Sequence, residues 1–361
     1  MTQRKYRIAL LPGDGVGPEV VESAKDVLVA SAEKNSLEIE LVDLQIGLAS
    51  YKKLGRSLPP ETLEAMKECH GWILGPLASG SYPKDDKDYP LASGRIRKGF
   101  DLFANIRPVR TLTRNSMYRN VDLVIVRENT EDFYPDRNLH KGYGEFWTTK
   151  DSVVSLRVIT RNACSRIADT AFRIARSRQN SKKLVTAIHK SNVLIEGDGL
   201  FLEEVRKRAT EYPELRLEEK LVDTAALQLV TMPESFDVIL TTNMFGDILS
   251  DEAAGLVGGL GLAPSLNSGE KYAMAQAVHG SAPDIAGKGI VNPVAEILST
   301  SMLLKWMFSR FEDDTKLLSV SREIEKCVLD ALQSGESLTL DLGGKASTLE
   351  FTKNIIERIS N

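Results

Sequence analysis

Cysteine is scarce in this sequence, and long apolar runs are absent. Cys69, Cys164 and Cys327 are the only cysteines among 361 residues. They are too few for a full set of disulfides and too far apart for a closely spaced metal site, so we expect ordinary core or surface positions. The longest uncharged stretch, 253–269, contains several glycines and Pro264, and it is shorter than the roughly 20 apolar residues that span a bilayer. The sequence therefore argues against a disulfide-stabilised small domain and predicts no membrane-spanning segment.

The sequence also lacks an excess of positive charge and any sign of an export signal. Its formal net charge is -4, which gives no overall attraction to nucleic acid or to anionic membranes. The basic residues of 161–183 are offset by the glutamates of 203–219, so solvated helix faces are a better interpretation than an RNA-binding surface. The apolar run 8–11 is too short for a signal peptide, and charged Asp14 follows it. We therefore expect a cytoplasmic protein without nucleic-acid or membrane partners.

Apolar strand patterns alternate with helical patterns along the chain. Residues 6–11 form an apolar run, 12–17 form a glycine-rich turn, and apolar residues from Pro18 onward recur at helical spacing. Strands separated by helices predict an α/β protein with a largely parallel sheet. Because no linker rich in Pro, Gly and Ser is present, a second domain would be inserted rather than appended. Further strands are expected at 39–44, 71–74, 121–127, 183–188 and 238–242, and a further helix at 60–69.

The glycine-rich turn does not match a dinucleotide-binding fingerprint. Gly13, Gly15 and Gly17 follow the first strand, but the fingerprint needs its third glycine three places after the second, where Pro18 stands. Asp43 lies about 28 residues beyond Gly15, whereas the fingerprint places its acidic residue about 20 residues on. We interpret the segment as a tight turn before a helix, so a nucleotide would need another loop.

Two aspartates lie four positions apart in the segment 245–251. Asp247 and Asp251 would share one face of a helix. With a third carboxylate such as Asp223, they would suit Mg²⁺ or Mn²⁺. The alternative is an aspartate pair that only solvates the start of a helix.

Four basic residues are candidates for contacts with a substrate. Arg97, Arg107 and Arg127 could together hold a di- or tricarboxylate, because a guanidinium binds a carboxylate through two hydrogen bonds. Ordinary surface ion pairs are the alternative. Lys190 directly follows the strand expected at 183–188 and is a candidate general base, although most lysines are simply solvated.

The segment 279–293 carries the most specific motif. It reads HGSAPDIAG and, after Lys288, GIVNP. With the candidates above, it resembles the isocitrate and 3-isopropylmalate dehydrogenase family, and the resemblance covers essentially the whole chain. Its segments occur in family order: 11–15, 97–108, 127–134, 190–193, Asp223, 243–251 and 279–293.

The resemblance implies a homodimer of two-domain α/β subunits. A large cofactor-binding domain would comprise 1–103 and 257–361, and a small domain with the dimer interface would comprise 104–256. The active site would be shared between subunits. Lys190 and Asp223 would come from the partner, and Asp247 and Asp251 would complete the metal site.

The reaction that the resemblance implies is an NAD-dependent oxidative decarboxylation of a 2-hydroxy acid that carries a carboxylate on C3. Lys190 would take the proton of the hydroxyl group, and hydride would pass to the nicotinamide. After loss of CO₂, Tyr134 would protonate the carbon as general acid, and Mg²⁺ or Mn²⁺ would stabilise the negative charge. Arg97, Arg107 and Arg127 would hold the carboxylates.

The cofactor would be held by the loop at 279–292. A carboxylate at Asp284 would accept hydrogen bonds from ribose hydroxyls and repel a 2′-phosphate, and NADP-dependent relatives have lysine and tyrosine at the positions of Asp284 and Ile285. The sequence therefore resembles an NAD-dependent enzyme. Asn192 would contact the nicotinamide side, or alternatively cap the helix that follows it. The expected cofactor contacts are Asn192, His279, Gly280, Ser281, Ala282, Pro283, Asp284, Ile285 and Asn292.

The segment that selects the substrate in this family matches none of its usual forms. Isopropylmalate enzymes have a leucine pair where Ser93 and Gly94 stand, isocitrate enzymes have a serine in place of Leu91, and homoisocitrate enzymes have an arginine in place of Gly94. We expect Ser93 to contact the substrate and 3-isopropylmalate to be the first candidate, ahead of isocitrate, homoisocitrate, D-malate and tartrate. A noncatalytic regulatory subunit of a heteromeric isocitrate dehydrogenase is the other alternative, but Tyr134 and Lys190 are both present.

Overall fold

The computed structural model describes residues 4–83, 85–86, 92–113, 116–134, 136–179, 181–311 and 314–361. Within these ranges, no helix is both long enough and apolar enough to cross a membrane. The three cysteines are buried and unpaired. The strands are β1 (Tyr6–Leu11), β2 (Ile39–Asp43), β3 (Gly71–Leu74), β4 (Ala104–Arg110), β5 (Asp122–Glu128), β6 (Glu145–Thr149), β7 (Ser152–Ser155), β8 (Leu184–His189), β9 (Arg216–Leu221), β10 (Val238–Thr241), β11 (Leu266–Ser268) and β12 (Ala273–Ala275). The helices are α1 (Gly17–Lys34), α2 (Gly47–Leu54), α3 (Pro60–Lys67), α4 (Ala92–Gly99), α5 (Arg161–Ser177), α6 (Ile195–Ala209), α7 (Val222–Thr231), α8 (Asn243–Leu256), α9 (Val294–Arg310), α10 (Thr315–Ser334) and α11 (Thr348–Ser360).

Ten of the described strands form one sheet, in the order β2-β1-β3-β12-β11-β4-β5-β10-β8-β9, and β6 and β7 form a separate hairpin. The predicted α/β class is confirmed. The expectation of a largely parallel sheet holds on both flanks. In the centre, however, β11 pairs antiparallel with β12 and β4, and β4 pairs antiparallel with β5. The sheet is therefore mixed.

Helices cover both faces of the sheet. Because successive strand residues point in opposite directions, one strand contributes apolar side chains to both faces. In β1, Tyr6, Ile8 and Leu10 pack in a cluster with α1, α9, α10 and α11. Ala9 and Leu11 pack on the other face with residues of α3 and α4. Burial of each large apolar side chain contributes about 1.5–3 kcal/mol, so these two clusters hold the first half of the sheet.

The second half of the sheet follows the same rule. Val124 and Val126 of β5 pack with α5 and α6, and Leu123 and Ile125 pack with α7 and α8. The five strands on this side of the sheet all belong to the central part of the chain, whereas β1, β2, β3, β11 and β12 belong to its two ends. The division into domains at 1–103 with 257–361 and 104–256 stays a prediction.

The glycine-rich turn between β1 and α1 is held by backbone contacts. Gly15 has a positive φ of 59°, and a Cβ at this position would lie 1.9 Å from the Ser281 carbonyl oxygen. The neighbouring Val16 N–H donates to the same oxygen at 2.9 Å. Buried Asp14 accepts hydrogen bonds from the Leu48 N–H at 2.6 Å and from the Tyr82 hydroxyl at 2.7 Å. The segment is thus a tight structural turn that packs against the loop at 279–292.

Candidate active site

Helix α8 presents two carboxylates on one face. Asp247 and Asp251 lie one turn apart, and both accept hydrogen bonds from Arg107 of β4. Its Nη2 lies 3.3 Å from Asp247 Oδ1, and its Nη1 lies 3.1 Å from Asp251 Oδ1. Ser250, between them, also accepts from Arg107 Nη1. The two aspartates therefore share one helix face, as expected from their spacing; their role as metal ligands stays a prediction.

Arg127 of β5 reaches the same carboxylate from the adjacent strand. Its side chain is 1% exposed. Its Nε donates to Asn243 Oδ1 at 2.8 Å, and its Nη1 pairs with Asp247. The absence of a side chain at Gly246 makes room for this arginine, because a Cβ there would lie 2.6 Å from Arg127 Cγ.

The two aspartates differ in their electrostatic environment. Burial of the Asp247 carboxyl is the largest single influence and raises its pKa, but the charges of Arg127, Arg107 and Arg97 and the hydrogen bond from Tyr134 together outweigh it, so the pKa lies below its ordinary value. Burial raises the pKa of Asp251, and Arg107 opposes this only in part. Of the two aspartates, Asp247 is therefore the one whose ionised form the surroundings favour.

Tyr134 lies against this cluster. Its hydroxyl donates to Asp247 Oδ2. The guanidinium of Arg127 lies 5.3 Å from the ring centroid, and that of Arg137 lies 4.6 Å from it. Burial raises the pKa of the phenol, so the hydroxyl keeps its proton at neutral pH.

Arg97 of α4 approaches from the other half of the sheet. Its Nη2 donates to Gln276 Oε1 at 3.0 Å and its Nη1 to Asn129 Oδ1 at 3.4 Å, while its Nε is buried without a hydrogen-bond partner. Burial, followed by the charges of Arg137, Arg127 and Arg107, lowers its pKa well below the ordinary value. None of the described carboxylates forms an ion pair with Arg97, so this guanidinium can take an anionic ligand.

Buried asparagines support the arginines, and the sequence interpretation missed them. Asn267 Oδ1 of β11 accepts from the side chains of Asn105 at 3.0 Å and Asn129 at 3.1 Å. Asn105 Oδ1 in turn accepts from Arg107 Nε at 2.7 Å. Asn105 and Asn267 lie on separate strands, Asn129 follows β5, and the three belong to no local motif. Only the antiparallel centre of the sheet brings them together.

Lys190 and Asp223 form a second group. Lys190 Nζ lies 2.7 Å from Asp223 Oδ1, which belongs to the first turn of α7. The hydrogen bond from Lys190 lowers the pKa of this carboxyl. None of the described contacts joins this pair to Tyr134, Asp247 or Asp251.

A buried ion triad positions the backbone near both groups. Arg157 pairs with Asp132 at 2.5 Å and with Asp198 at 2.7 Å. Asp198 also accepts the backbone N–H of Lys190, and Asp132 accepts that of Met244 at 2.9 Å, in the first turn of α8. The triad therefore links the start of α8 to the backbone of the candidate base, a role that sequence reasoning missed.

The loop at 279–292 has features that suit a nucleotide. His279 Nε2 is buried without a hydrogen-bond partner, and burial lowers the pKa of the imidazole. Asp284 is exposed. Glu19 of α1 holds the loop in place, because its carboxylate accepts the N–H groups of Gly287 at 2.7 Å and Gly289 at 2.9 Å. Gly280 and Pro283 are also exposed, and Ser281, Ala282 and Ile285 are half-buried.

Three other expected contacts have different surroundings. Asn292 is buried and bonded within the protein, because its Oδ1 accepts the Val294 N–H at 3.0 Å and its Nδ2 donates to Asp341 at 2.9 Å. Asn192 is exposed, and the alternative that it caps α6 is wrong, since Leu194 occupies the cap position without a side-chain hydrogen bond. Ser93 is half-buried on α4. Leu91, on which part of the substrate prediction depends, lies outside the described residues.

The oxygen donors of α8 suit a hard divalent cation. Asp247 and Asp251 supply two carboxylates on one face, which is the chemistry that Mg²⁺ and Mn²⁺ prefer. Among the residues that the structure describes in this single chain, no three His, Cys, Asp or Glu side chains form a metal site. A third protein ligand is therefore expected from outside this group. The family resemblance implies that it is Asp223 of a partner subunit.

These features define an α/β protein in which two arginines and a tyrosine converge on the aspartates of α8. Residues 7–359 match the family model described as isocitrate/isopropylmalate dehydrogenase. A 3-isopropylmalate dehydrogenase of Methanothermobacter thermautotrophicus is 43% identical over 99% of this chain and 100% of its own length. An isocitrate/homoisocitrate dehydrogenase of Thermus thermophilus is 41% identical over 99% of both chains.

The fold is also similar to that of a solved member of this family. The crystal structure of isocitrate dehydrogenase from Methylococcus capsulatus superposes with a TM-score of 0.87 at 36% identity, covering 99% of this chain and 100% of that one. The chain belongs to the isocitrate/isopropylmalate dehydrogenase family. The predicted enzyme class, an NAD-dependent decarboxylating dehydrogenase, is confirmed by this membership.

Proposed function

We propose that the protein oxidises the 2-hydroxyl group of a 3-substituted malate with NAD and removes its C3 carboxylate as CO₂. The observation that carries this proposal is the convergence of Arg107, Arg127 and Tyr134 on the aspartates of α8. Guanidinium groups bind carboxylates through paired hydrogen bonds. Arg107, Arg127 and Arg97, which pairs with none of the described carboxylates, would therefore hold the substrate.

The proton transfers are assigned to two residues. Lys190 would accept the proton of the 2-hydroxyl group as general base. Tyr134, whose hydroxyl stays protonated because burial raises its pKa, would donate a proton to the carbon that loses CO₂. Mg²⁺ or Mn²⁺ held by Asp247, Asp251 and a partner's copy of Asp223 would supply positive charge for the negative charge that develops on the substrate oxygens.

A homodimer would complete the site. Lys190 and Asp223 form a pair separate from the arginine and aspartate cluster in the described chain, so a second copy would bring each pair to its partner's cluster. Exposed apolar side chains near these groups support such an interface, as Val193 is 64%, Leu227 64% and Ile248 60% exposed. The two-domain division and the cytoplasmic location remain predictions from the sequence.

The cofactor preference would be set by Asp284. Its exposed carboxylate suits the hydroxyls of an NAD ribose and repels the 2′-phosphate of NADP. The unpartnered Nε2 of His279 would bind the adenosine half beside it. NADP used with the same kcat/KM as NAD would contradict this assignment.

Two kinds of substrate are candidates, a malate with an alkyl group on C3 and a tricarboxylate. 3-Isopropylmalate is the first candidate from the sequence, and several relatives carry this substrate in their names. Other relatives are named for isocitrate and homoisocitrate. One feature of the structure, the position of Arg137, favours a tricarboxylate such as isocitrate or homoisocitrate.

The proposed reaction can be tested by following NADH absorbance with Mn²⁺ and each of five acids: 3-isopropylmalate, isocitrate, homoisocitrate, D-malate and tartrate. We expect NADH formation with at least one of them, and loss of the reaction after chelation and its return on adding Mn²⁺. Activity with none of the acids, or full activity in chelator, would contradict the proposal.

A further inference from the structure

Position 94 of α4 carries no side chain, and another segment of the chain fills the adjacent space. A Cβ on Gly94 of α4 would lie 1.9 Å from Asp136 Oδ2 and 3.4 Å from Arg137 Nε. Both residues follow Tyr134 closely in the chain. Asp136 and Arg137 therefore occupy the volume into which a side chain at position 94 would project.

The charges of this segment are buried and only partly satisfied. The side chain of Arg137 is 3% exposed and that of Asp136 is 9% exposed, with 3.5 Å between Arg137 Nε and Asp136 Oδ2. Among the described residues, Arg137 Nε and both carboxylate oxygens of Asp136 have no hydrogen-bond partner, and Arg137 Nη1 makes one long bond of 3.3 Å to the Asn129 carbonyl oxygen. Buried charges normally have hydrogen-bond partners, so this arrangement is suited to a ligand.

Arg137 is also part of the candidate active site. Its guanidinium lies 4.6 Å from the centroid of the Tyr134 ring, on which the proposed reaction depends. The positive charge of Arg137 lowers the pKa of Arg97. Burial lowers the pKa of Arg137 itself; the charge of Asp136 opposes this effect, and the charge of Arg127 adds to it. Arg137 is thus a fourth arginine beside Arg97, Arg107 and Arg127.

The charge balance of the cluster depends on this fourth arginine. Arg97, Arg107, Arg127 and Arg137 face three described carboxylates, those of Asp136, Asp247 and Asp251, which leaves one positive charge. A divalent cation would raise the excess to three. That excess matches the three carboxylates of a tricarboxylate, whereas a dicarboxylate with an alkyl substituent would leave a buried positive charge uncompensated.

We propose that Arg137 is a specificity-determining residue that binds the C3 substituent of the substrate, and that this substituent ends in a carboxylate. The substrate class is then a malate with a carboxyalkyl group on C3, as in isocitrate and homoisocitrate, in preference to 3-isopropylmalate. This inference rests on the proposed function and refines its substrate.

The test compares kcat and KM for the five acids in the wild type, Arg137→Met and Arg137→Lys. We expect the wild type to use isocitrate or homoisocitrate with a kcat/KM at least about tenfold above that for 3-isopropylmalate. Arg137→Met should raise KM for the tricarboxylate by about thirtyfold or more with a smaller change in kcat, and change kcat/KM for D-malate less than about threefold. Arg137→Lys should recover part of the loss. Arg322→Met, at an exposed position on α10, is the matched control and should match the wild type.

A second variant separates recognition from folding. Among the described residues, Arg137 is the only cation that pairs with Asp136. Because Arg137→Met leaves this carboxylate unpaired, the double variant Asp136→Asn/Arg137→Met removes both charges. Circular dichroism checks its fold, and calorimetric titration of isocitrate with Mg²⁺ but without NAD measures binding directly. We expect at least tenfold weaker isocitrate binding by the folded double variant.

Three results would overturn the inference: a wild-type preference for 3-isopropylmalate or tartrate, an equal loss for all substrates in Arg137→Met, or unchanged isocitrate binding by the double variant. If the wild type oxidises none of the acids, the proposed function fails instead. Isocitrate binding that depends on Arg137 would still support the subsite in that case.

Discussion

At the scale of single residues, Asp247 organises the charges of the candidate site. Its two oxygens accept hydrogen bonds from Arg107, Arg127 and Tyr134. The arginines keep its pKa low despite burial, and it fixes the hydroxyl of Tyr134 in one direction. A substrate would therefore have to share Arg107 and Arg127 with Asp247, and a cation would have to share Asp247 with these arginines.

Tyr134→Phe tests the proton donor. The phenyl ring preserves the packing beneath Arg127 and Arg137 but carries no proton, and a positioned general acid contributes about 10²–10⁴-fold to the rate. We expect kcat for NADH formation to fall at least about 100-fold, with an unchanged circular dichroism spectrum and KM within a few fold. A kcat equal to that of the wild type would remove Tyr134 from the mechanism.

Glu296 in α9 predicts a pH dependence of stability. Burial raises its pKa from 4.5 to about 8, opposed by one hydrogen bond from the Ala277 N–H. Between these values the folded protein holds a proton that the unfolded chain has released, so the contribution of Glu296 to the free energy of unfolding decreases as the pH rises from 4.5 to 8. Glu296→Gln should remove this contribution and flatten the decrease.

Urea unfolding at pH 5, 6.5 and 8 measures the effect of Glu296→Gln. Glu357→Gln, at an exposed position on α11, is the matched control and should keep the wild-type slope. If Glu296→Gln shows that same slope, the buried carboxyl is not the source of the pH dependence.

At the scale of elements, the packing of α8 on β5 positions the site. The helix begins directly after β10, and the close approach at Gly246 lets the buried side chain of Arg127 pass along it to Asp247. The same helix carries Asp247 and Asp251 one turn apart, so a shift of the helix would move both carboxylates away from the arginines.

Gly246→Ala is expected to disturb this contact. The new methyl group would lie 2.6 Å from Arg127 Cγ, and overpacking of this kind costs about 1–3 kcal/mol of unfolding free energy. We also expect KM for the acid substrate to rise, because Arg127 must move. Gly199→Ala on α6, whose Cβ meets nothing within 4 Å, should instead stabilise the protein by about 0.5–1 kcal/mol. Equal stability of the two variants in urea would contradict the packing argument.

The sequence predicts the elements that have a strong apolar pattern. Strand β1 occurs at the expected residues, and β5, β8 and β10 lie within one residue of expectation, since each has a mainly apolar sequence and is mostly buried between helices. Strands β4, β11 and β12 were not predicted. Asn105 and Arg107 interrupt the apolar pattern of β4, and Asn267 interrupts that of β11, because these two strands carry polar side chains of the site. Strand β12 has only three residues, too few for a pattern.

The candidate site shows the same limit. The proximity of Asp247 to Asp251 could be predicted from their spacing on one helix. The places of Arg137 and Asn129 in the site could not be predicted, because they depend on how the segment after β5 returns to α4 and β11. Glu19 gave no local signal either, since its contact with the loop at 279–292 spans most of the chain.

At the scale of the whole molecule, the candidate catalytic groups fall into two sets within one chain. Tyr134, Asp247 and Asp251 lie with the arginines, while Lys190 and Asp223 form their own pair. Our central claim is that two copies of the chain combine these sets, so that each site takes Lys190 and Asp223 from one subunit and the remaining groups from the other.

Complementation between inactive variants tests this claim most directly. Lys190→Ala and Tyr134→Phe chains are co-expressed with different affinity tags, and the mixed dimer is purified through both tags in sequence. In a shared site, the mixed dimer contains one site with both residues intact and one site with neither, so it should recover about half of the wild-type activity per dimer. A mixed dimer as inactive as the two parent variants would show that Lys190 and Tyr134 act within the same chain and would contradict the shared site.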